Sequence, residues 1–396
     1  MAGATTYVVD VNGGPGVDFT DIPPAIAAAS AGDVILVHPG SYSSFTLSAG
    51  LSVVGSPGTS TLDIQVANIA SGPPVALASM SFRKLSISAC AVPVLVNDLV
   101  KPSSLQAFSV AAIEIDACAD VRLHGVQVTN GQLPTGRTGL EATNSRVEIT
   151  ASTFHAGQGV DNPYATGVGG PGGIGISCLG GSDVHVSLST IIGGAGGNSL
   201  TGFGYNGDGG NGGCGIQVAQ SSNVLVTGRP SDLVQGGNGG AGPNNDGVPA
   251  SGLLVAASAT ARVSAVTFQG GSLPVSAPGI SGPADVVTPI DPSLEVSGTF
   301  SAGQIVTFTF HGTAGDSARL RLGRQAVVLP SSAYEAQLTI PLRSYNLGIL
   351  PPSGETQKQF TIPSSLPHGF ILVFQGTSLG VDGVSRFTQS VPIIVK

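Results

Sequence analysis

Along the middle of the chain, two apolar residues repeatedly flank a single variable one, and the motif comes twice per repeat. Ile113–Ile115, Leu140–Ala142, Ile176–Cys178, Ile216–Val218 and Leu253–Val255 form one series. Val121–Leu123, Val147–Ile149, Val184–Val186, Val224–Val226 and Ala261–Val263 form the next. Period two puts the flanking residues on one side of a strand and the middle residue on the other. A third apolar patch follows, as at Val126–Val128 and Val266–Phe268, before the chain leaves the repeat through a loop. Three inward-facing strands per repeat predict a triangular parallel solenoid around a dry core.

The loops share a cassette of their own: Gly169–Gly173, Gly193–Gly197, Gly209–Gly213 and Gly236–Gly240 each read GGxGG. The longest excursion runs from Gly193 through Asp208 to Gly213. Two glycines in every three residues suit an extended helix with three residues per turn, whose strands can pack side by side through main-chain hydrogen bonds. Recurrence at equivalent repeat positions predicts an ordered loop layer; the other reading is a set of flexible glycine linkers.

Before the repeats, Asp21 is a candidate N-cap, with Pro23 and Pro24 in a first turn where their missing N–H groups cost little. Ile22, Ile26 and Ala29 follow at helical spacing, Gly32 stops the helix, and Val34–Val37 begins a strand. Through Ala25, Ile26, Ala29, Gly32, Asp33, Ile35, Val37, Pro39, Gly40 and Tyr42, this segment resembles the N-terminal cap of pectin-lyase-like right-handed parallel β-helix proteins. The resemblance covers about 35 residues directly, and the coil pattern extends it to about residue 280. It implies a fold more than an activity, since that family holds lyases, hydrolases, esterases, adhesins and inert scaffolds.

Near residue 283 the cassettes stop. Seven short alternating runs follow, at 294–300, 305–311, 318–322, 336–340, 359–362, 370–375 and 391–395, and predict a β-sandwich. The chain is therefore read as all-β. Residues 1–42 give the N-terminal strand and cap helix, 43–282 the right-handed parallel β-helix with its GGxGG loop layer, 283–292 a linker, and 293–396 the sandwich. That last part is similar to the C-terminal domains of secreted bacterial β-helix repeat proteins.

Composition narrows the setting. The 396 residues include 59 Gly and 27 Pro but no Trp, and only 10% are charged. With 41% hydrophobic residues the chain is ordered rather than disordered. The net charge of −8 comes without a basic run, which argues against nucleic acid. No apolar stretch reaches the roughly 20 residues of a spanning helix. Four lysines against eleven arginines, with many Ser, Thr, Gly and Asn, fit a bacterial protein that is secreted or held at the cell surface. The start carries no signal peptide and reads as a mature sequence behind an added Met1.

Candidate chemistry lies on the outward positions. Arg122, Glu148 and His185 should stack on adjacent rungs, either as acid, base and cation of a lyase or hydrolase, or as ordinary cross-strand pairing. Glu114 and Glu141 stack likewise, with no Lys or Arg apparent nearby. Together with Asp208 and Asp246 in the loops they are the candidates for Ca²⁺, the one cofactor considered. Against Ca²⁺ stands a loop surface of Asp208, Asn211, Asn238, Asn244, Asn245 and Asp246 that simply hydrogen-bonds. Cys90 and Cys118, each in an Ala-Cys-Ala turn on adjacent rungs, are a disulfide candidate or two stacked thiols; Cys178 and Cys214 pair less readily. His155, where a coil ends beside Gly157, reads as structural.

Two functions follow. One is a non-catalytic structural or adhesive β-helix protein that binds itself, other surface components or polysaccharide, and assembles into filaments. The alternative is a polyuronate lyase or glycoside hydrolase working in a groove along Arg122, Glu148 and His185. Sparse surface aromatics weigh against a polysaccharide cleft.

Overall fold

The computed structural model describes residues 4–396, except 106–109, 133–135, 163–166, 200–206, 288–290, 324–326, 329–335 and 338–340. The tip of the longest glycine loop and most of the expected 336–340 strand thus lie outside the described residues.

The chain winds into a parallel β-helix whose faces are sheets of eleven, nine and six strands. Both apolar series pair as their spacing requires: Ile113 with Leu140, Leu140 with Ile176 and Ile216 with Leu253 on one face, and Val121 with Val147, Val147 with Val184 and Val224 with Ala261 on the next. Their inward side chains make one continuous core, in which Val147, Val184 and Val224 are fully buried. Asp98, Gly125, Ala151, Leu188 and Ala265 turn the same corner of their coils with single left-handed residues, φ 48–65°. One residue at positive φ redirects the chain sharply enough to start the next face without a loop.

At the N-terminus a helix, Ile22–Ala28, closes the open end of the core. Asp21 caps it by accepting from the Ile22 N–H, prolines occupy its first turn, and Ile22 and Ala25 are buried. The helix stops at Ala29, which is already extended, three residues before Gly32.

The glycine loops form an ordered double layer. Successive outgoing strands bond within one layer, Gly193 to Gln235 and Gly196 to Asn238, and returning strands within the other, Gly169 to Asp208 and Gly172 to Asn211. Between the layers a continuous zigzag runs from Gly173 to Gly157, Gly194 to Gly173, Gly213 to Gly194, Gly237 to Gly213 and Ala250 to Gly237, each N–H···O at 2.8–2.9 Å. The pattern repeats every third residue. Two of the three residue positions therefore face neighbouring main chain, where a Cβ on Gly193, Gly196, Gly212 or Gly239 would lie 1.8–2.1 Å from a carbonyl oxygen. The third position faces outward and accepts a side chain.

The C-terminal part is a sandwich. Ser293–Gly298, Ile305–His311 and Glu355–Thr361 form one sheet; Pro341–Ile349, Ser317–Gly323, Ile371–Leu379 and Ser385–Ile394 form the other. Leu294, Phe308, Phe310, Leu320, Val391 and Ile393 fill its core. The pattern of alternation misses the strand Pro341–Ile349, because Pro341 and Gly348 interrupt it; an edge strand tolerates both. The second sheet lies on the outside of the eleven-stranded face, where Ile394 and Ile371 pack against Leu36, Val54, Ala76, Ala78 and Leu95.

Candidate functional site

The outward column of the eleven-stranded face runs Leu95, Arg122, Glu148, His185, Leu225, Arg262, one residue per coil. Arg122, Glu148 and His185 stack in register as expected, but the open groove along them is corrected. The strand Ser385–Ile394 lies across this face, leaving Arg122 2%, Glu148 3% and His185 9% exposed. Ser390 supplies the link: its hydroxyl donates to Glu148 Oε2 at 2.6 Å and accepts from Arg122 Nη1. Asp120, two residues before Arg122 on its own strand edge, takes the guanidinium in a fork at 2.8 and 2.9 Å. Asn97 Nδ2 donates to Pro392 O at 2.8 Å, and Lys396 meets Asp98 at 2.6 Å. Burial pushes His185 down to about 3, with Arg146 adding to the effect, so its imidazole is neutral and Nε2 pairs with Thr227 Oγ1 at 3.1 Å. A neutral imidazole over a carboxylate already committed to Arg122 and Ser390 is not arranged to exchange protons with a substrate.

Glu114 and Glu141 are adjacent as expected. The structure supplies the cation that sequence reading missed, Lys84, whose Nζ lies 2.7 Å from Glu114 Oε2. Burial and the Glu114 charge raise Glu141 above the ordinary carboxylate range. In the loops, Asp208 Oδ1 accepts from the amides of Asn244 and Asn245 at 2.9 Å, and Asp246 accepts from the Gly242 N–H. The outward residues do similar work: Asn198, Asn211 and Asn238 each accept the otherwise unbonded N–H of a neighbouring coil, at Ala241, Val248 and Ser272. Among the described residues no three His, Cys, Asp or Glu side chains group as metal ligands.

Cys90 and Cys118 sit on adjacent rungs as free, buried thiols, the second of the two arrangements that the sequence leaves open. Each sulfur is turned toward a carbonyl of its own strand, Ser88 at 3.3 Å and Asp116 at 3.2 Å. Cys178 is enclosed in the core, which pushes its thiol up to about 12, while Cys214 sits at an outward position of the loop layer, partly exposed. His155 ends the strand Thr153–His155 and lines a polar groove of about 350 Å³ with Asn130, Gln132 and Gln158 at the foot of the glycine layer.

Further cavities open where the domains meet. One of about 600 Å³ includes His38, His368 and Lys396. At the opposite end, one of about 170 Å³ is lined by His185, Arg262, Asp291, Arg386 and Phe387; beside it, on the sandwich sheet alone, one of about 140 Å³ is lined by Arg319, Arg321, Thr377 and Phe387.

No protein-family model matches the chain, and no curated protein matches it. No described helix is long and apolar enough to cross a membrane. The architecture is a β-helix with a C-terminal sandwich, a scaffold compatible with structural or enzymatic use.

Proposed function

We propose that the chain is an exported, non-catalytic β-helix scaffold of the pectin-lyase-like type, a structural or adhesive component of a bacterial cell surface or its surroundings. The observation that carries this reading is the use made of the Arg122–Glu148–His185 ladder, a stacked acid, base and cation. Asp120 and Ser390 saturate it, and the C-terminal sheet covers it. The ladder serves as mortar between two domains. A rigid solenoid with a hydrogen-bonded loop layer suits mechanical or adhesive use, because its surface is held in one shape. Because a helix caps the N-terminal end, assembly into filaments would run through the C-terminal domain or a donated strand.

Incubation with acidic and neutral polysaccharides, with and without Ca²⁺, tests the reading. We expect no new reducing ends and no unsaturated products; release of either would establish the lyase or hydrolase alternative. Light scattering and negative-stain images address assembly, and dispersed monomers at every concentration and salt would remove the filament version.

A further inference from the structure

The sheet face that carries Ser390 continues beyond the buried ladder. Its pairing sets Arg319, Thr377 and Phe387 in one row across three strands. Arg321 lies two residues along the same strand, its guanidinium 5.8 Å from the Phe387 ring centre. Facing it, the outward column of the β-helix passes through His185, Leu225 and Arg262 and ends at Asp285. Two small cavities flank Phe387 and share it as a wall, together with Ser385: one lies between these surfaces and the other is a hollow on the sheet face itself.

Their chemistry differs from the rest of the molecule. Four of the eleven arginines of an acidic chain line them: Arg262, Arg319, Arg321 and Arg386. Arg386 is held by Asp382, and Arg262 by Asp291 at 3.0 Å. Among the described residues no carboxylate lies within ion-pair distance of Arg319 or Arg321. Asp291 is 9% exposed, yet its Oδ2 has no partner, and neither has Arg262 Nε.

We propose that this seam binds a sulfated polysaccharide, with a sulfate ester between Arg319 and Arg321 and its sugar ring against Phe387. A half-buried aromatic face suits a sugar ring, and guanidinium groups bind tetrahedral oxyanions through charge-assisted hydrogen bonds. The two arginines come from one strand and the Thr377 hydroxyl from the strand paired with it. Such convergence matches the three oxygens of a sulfate ester better than a planar carboxylate, which one guanidinium fork can hold. Asp291 accepts a hydroxyl, which a saccharide has and a bare polyanion lacks. Arg262 and Arg386 then meet the adjoining sugar. The site rests on the scaffold reading in one respect only: it binds its glycan without cutting it.

Calorimetric titration of the full chain tests it, using a κ-carrageenan hexasaccharide, its desulfated counterpart, a hexagalacturonate, inorganic sulfate and polyglutamate. We expect the sulfated oligosaccharide to bind at least tenfold more tightly than any other probe. R319S/R321S should lower that affinity tenfold or more, and F387L severalfold, with thermal melting unchanged. R319Q alone, at an exposed position, reports on the same contact should the double variant fold poorly. Equal binding of polyglutamate, hexagalacturonate or the desulfated sugar overturns the proposal, as does undiminished binding by folded R319Q or R319S/R321S. Cleavage of any probe overturns the scaffold reading instead and leaves the binding result standing.

Discussion

Ser390 donates its hydroxyl to Glu148 across 242 residues of chain, and this contact helps tie the last strand of the sandwich to the middle of the β-helix. Glu148 is buried, and its neighbours there are that donor and Arg122 at 3.8 Å. Ser390→Ala should cost about 1–3 kcal/mol, the usual penalty for leaving a buried polar group short of a partner. Glu148→Leu leaves Arg122 paired with Asp120 but takes away the acceptor of the buried Ser390 hydroxyl, and should cost about 1–3 kcal/mol. Urea unfolding checks both; a Ser390→Ala midpoint equal to the parent's refutes the tie.

The loop layer makes a sharper distinction. A Cβ on Gly210 would sit 2.1 Å from Gly170 O, and one on Gly213 2.0 Å from Gly173 O. Gly210→Val and Gly213→Val should therefore lower the melting temperature clearly. Ala195→Ser, at an outward position, should stay within about 0.5 kcal/mol of the parent. Equal melting of all three variants would contradict the packed double layer.

Two buried histidines set the response to acid. Burial lowers His124 to about 4 and His185 to about 3, from 6.5 in the unfolded chain. Lys396 adds to the first shift while Asp98 opposes it, and Arg146 adds to the second. Below pH 6.5 the unfolded chain takes up protons that the fold refuses. Stability is thus complete above that pH and falls as pH drops toward 4, by about 2 kcal/mol per imidazole at pH 5. Asp120, Asp183 and Asp291, all raised chiefly by burial, act in the opposite sense, so the imidazole contribution is read as the difference between the parent and its histidine variants from pH 7 to 5. A parent melting temperature that falls no more than the variants' between pH 7 and 5 would show that these imidazoles are not held neutral. His124→Gln and His185→Gln should each flatten the curve.

Thiol counting tests the cysteines. In the native state Cys214 should react first with a thiol reagent, because Cys90, Cys118 and Cys178 are buried. After denaturation without reductant all four should react. Recovery of only two would mean that Cys90 and Cys118 had joined.

The β-helix was legible because each strand pairs with its own equivalent one coil later, so local period two carries long-range register. Arg122 over Glu148 followed from that register alone. What covers them did not, since nothing local to Ser390 encodes docking onto a strand 242 residues away. Asp120 was closer to hand, an acid two residues before an arginine at a strand edge. Lys84 was missed because its coil precedes the aligned series, although its strand pairs with the one carrying Glu114. The seam arginines were hidden similarly: Arg319, Thr377 and Phe387 come together only once three distant strands pair.

The triplet rhythm of the loops restricts how this chain can change length. Inserting a whole Gly-Gly-x unit into both arms of one loop carries the double layer outward and leaves every existing hydrogen bond in phase. Inserting one or two residues rotates the following glycines away from their neighbours and turns a side chain into the space between strands. Loop growth in such a molecule is quantised in threes, and reach beyond the solenoid can increase without any change to the core that anchors it.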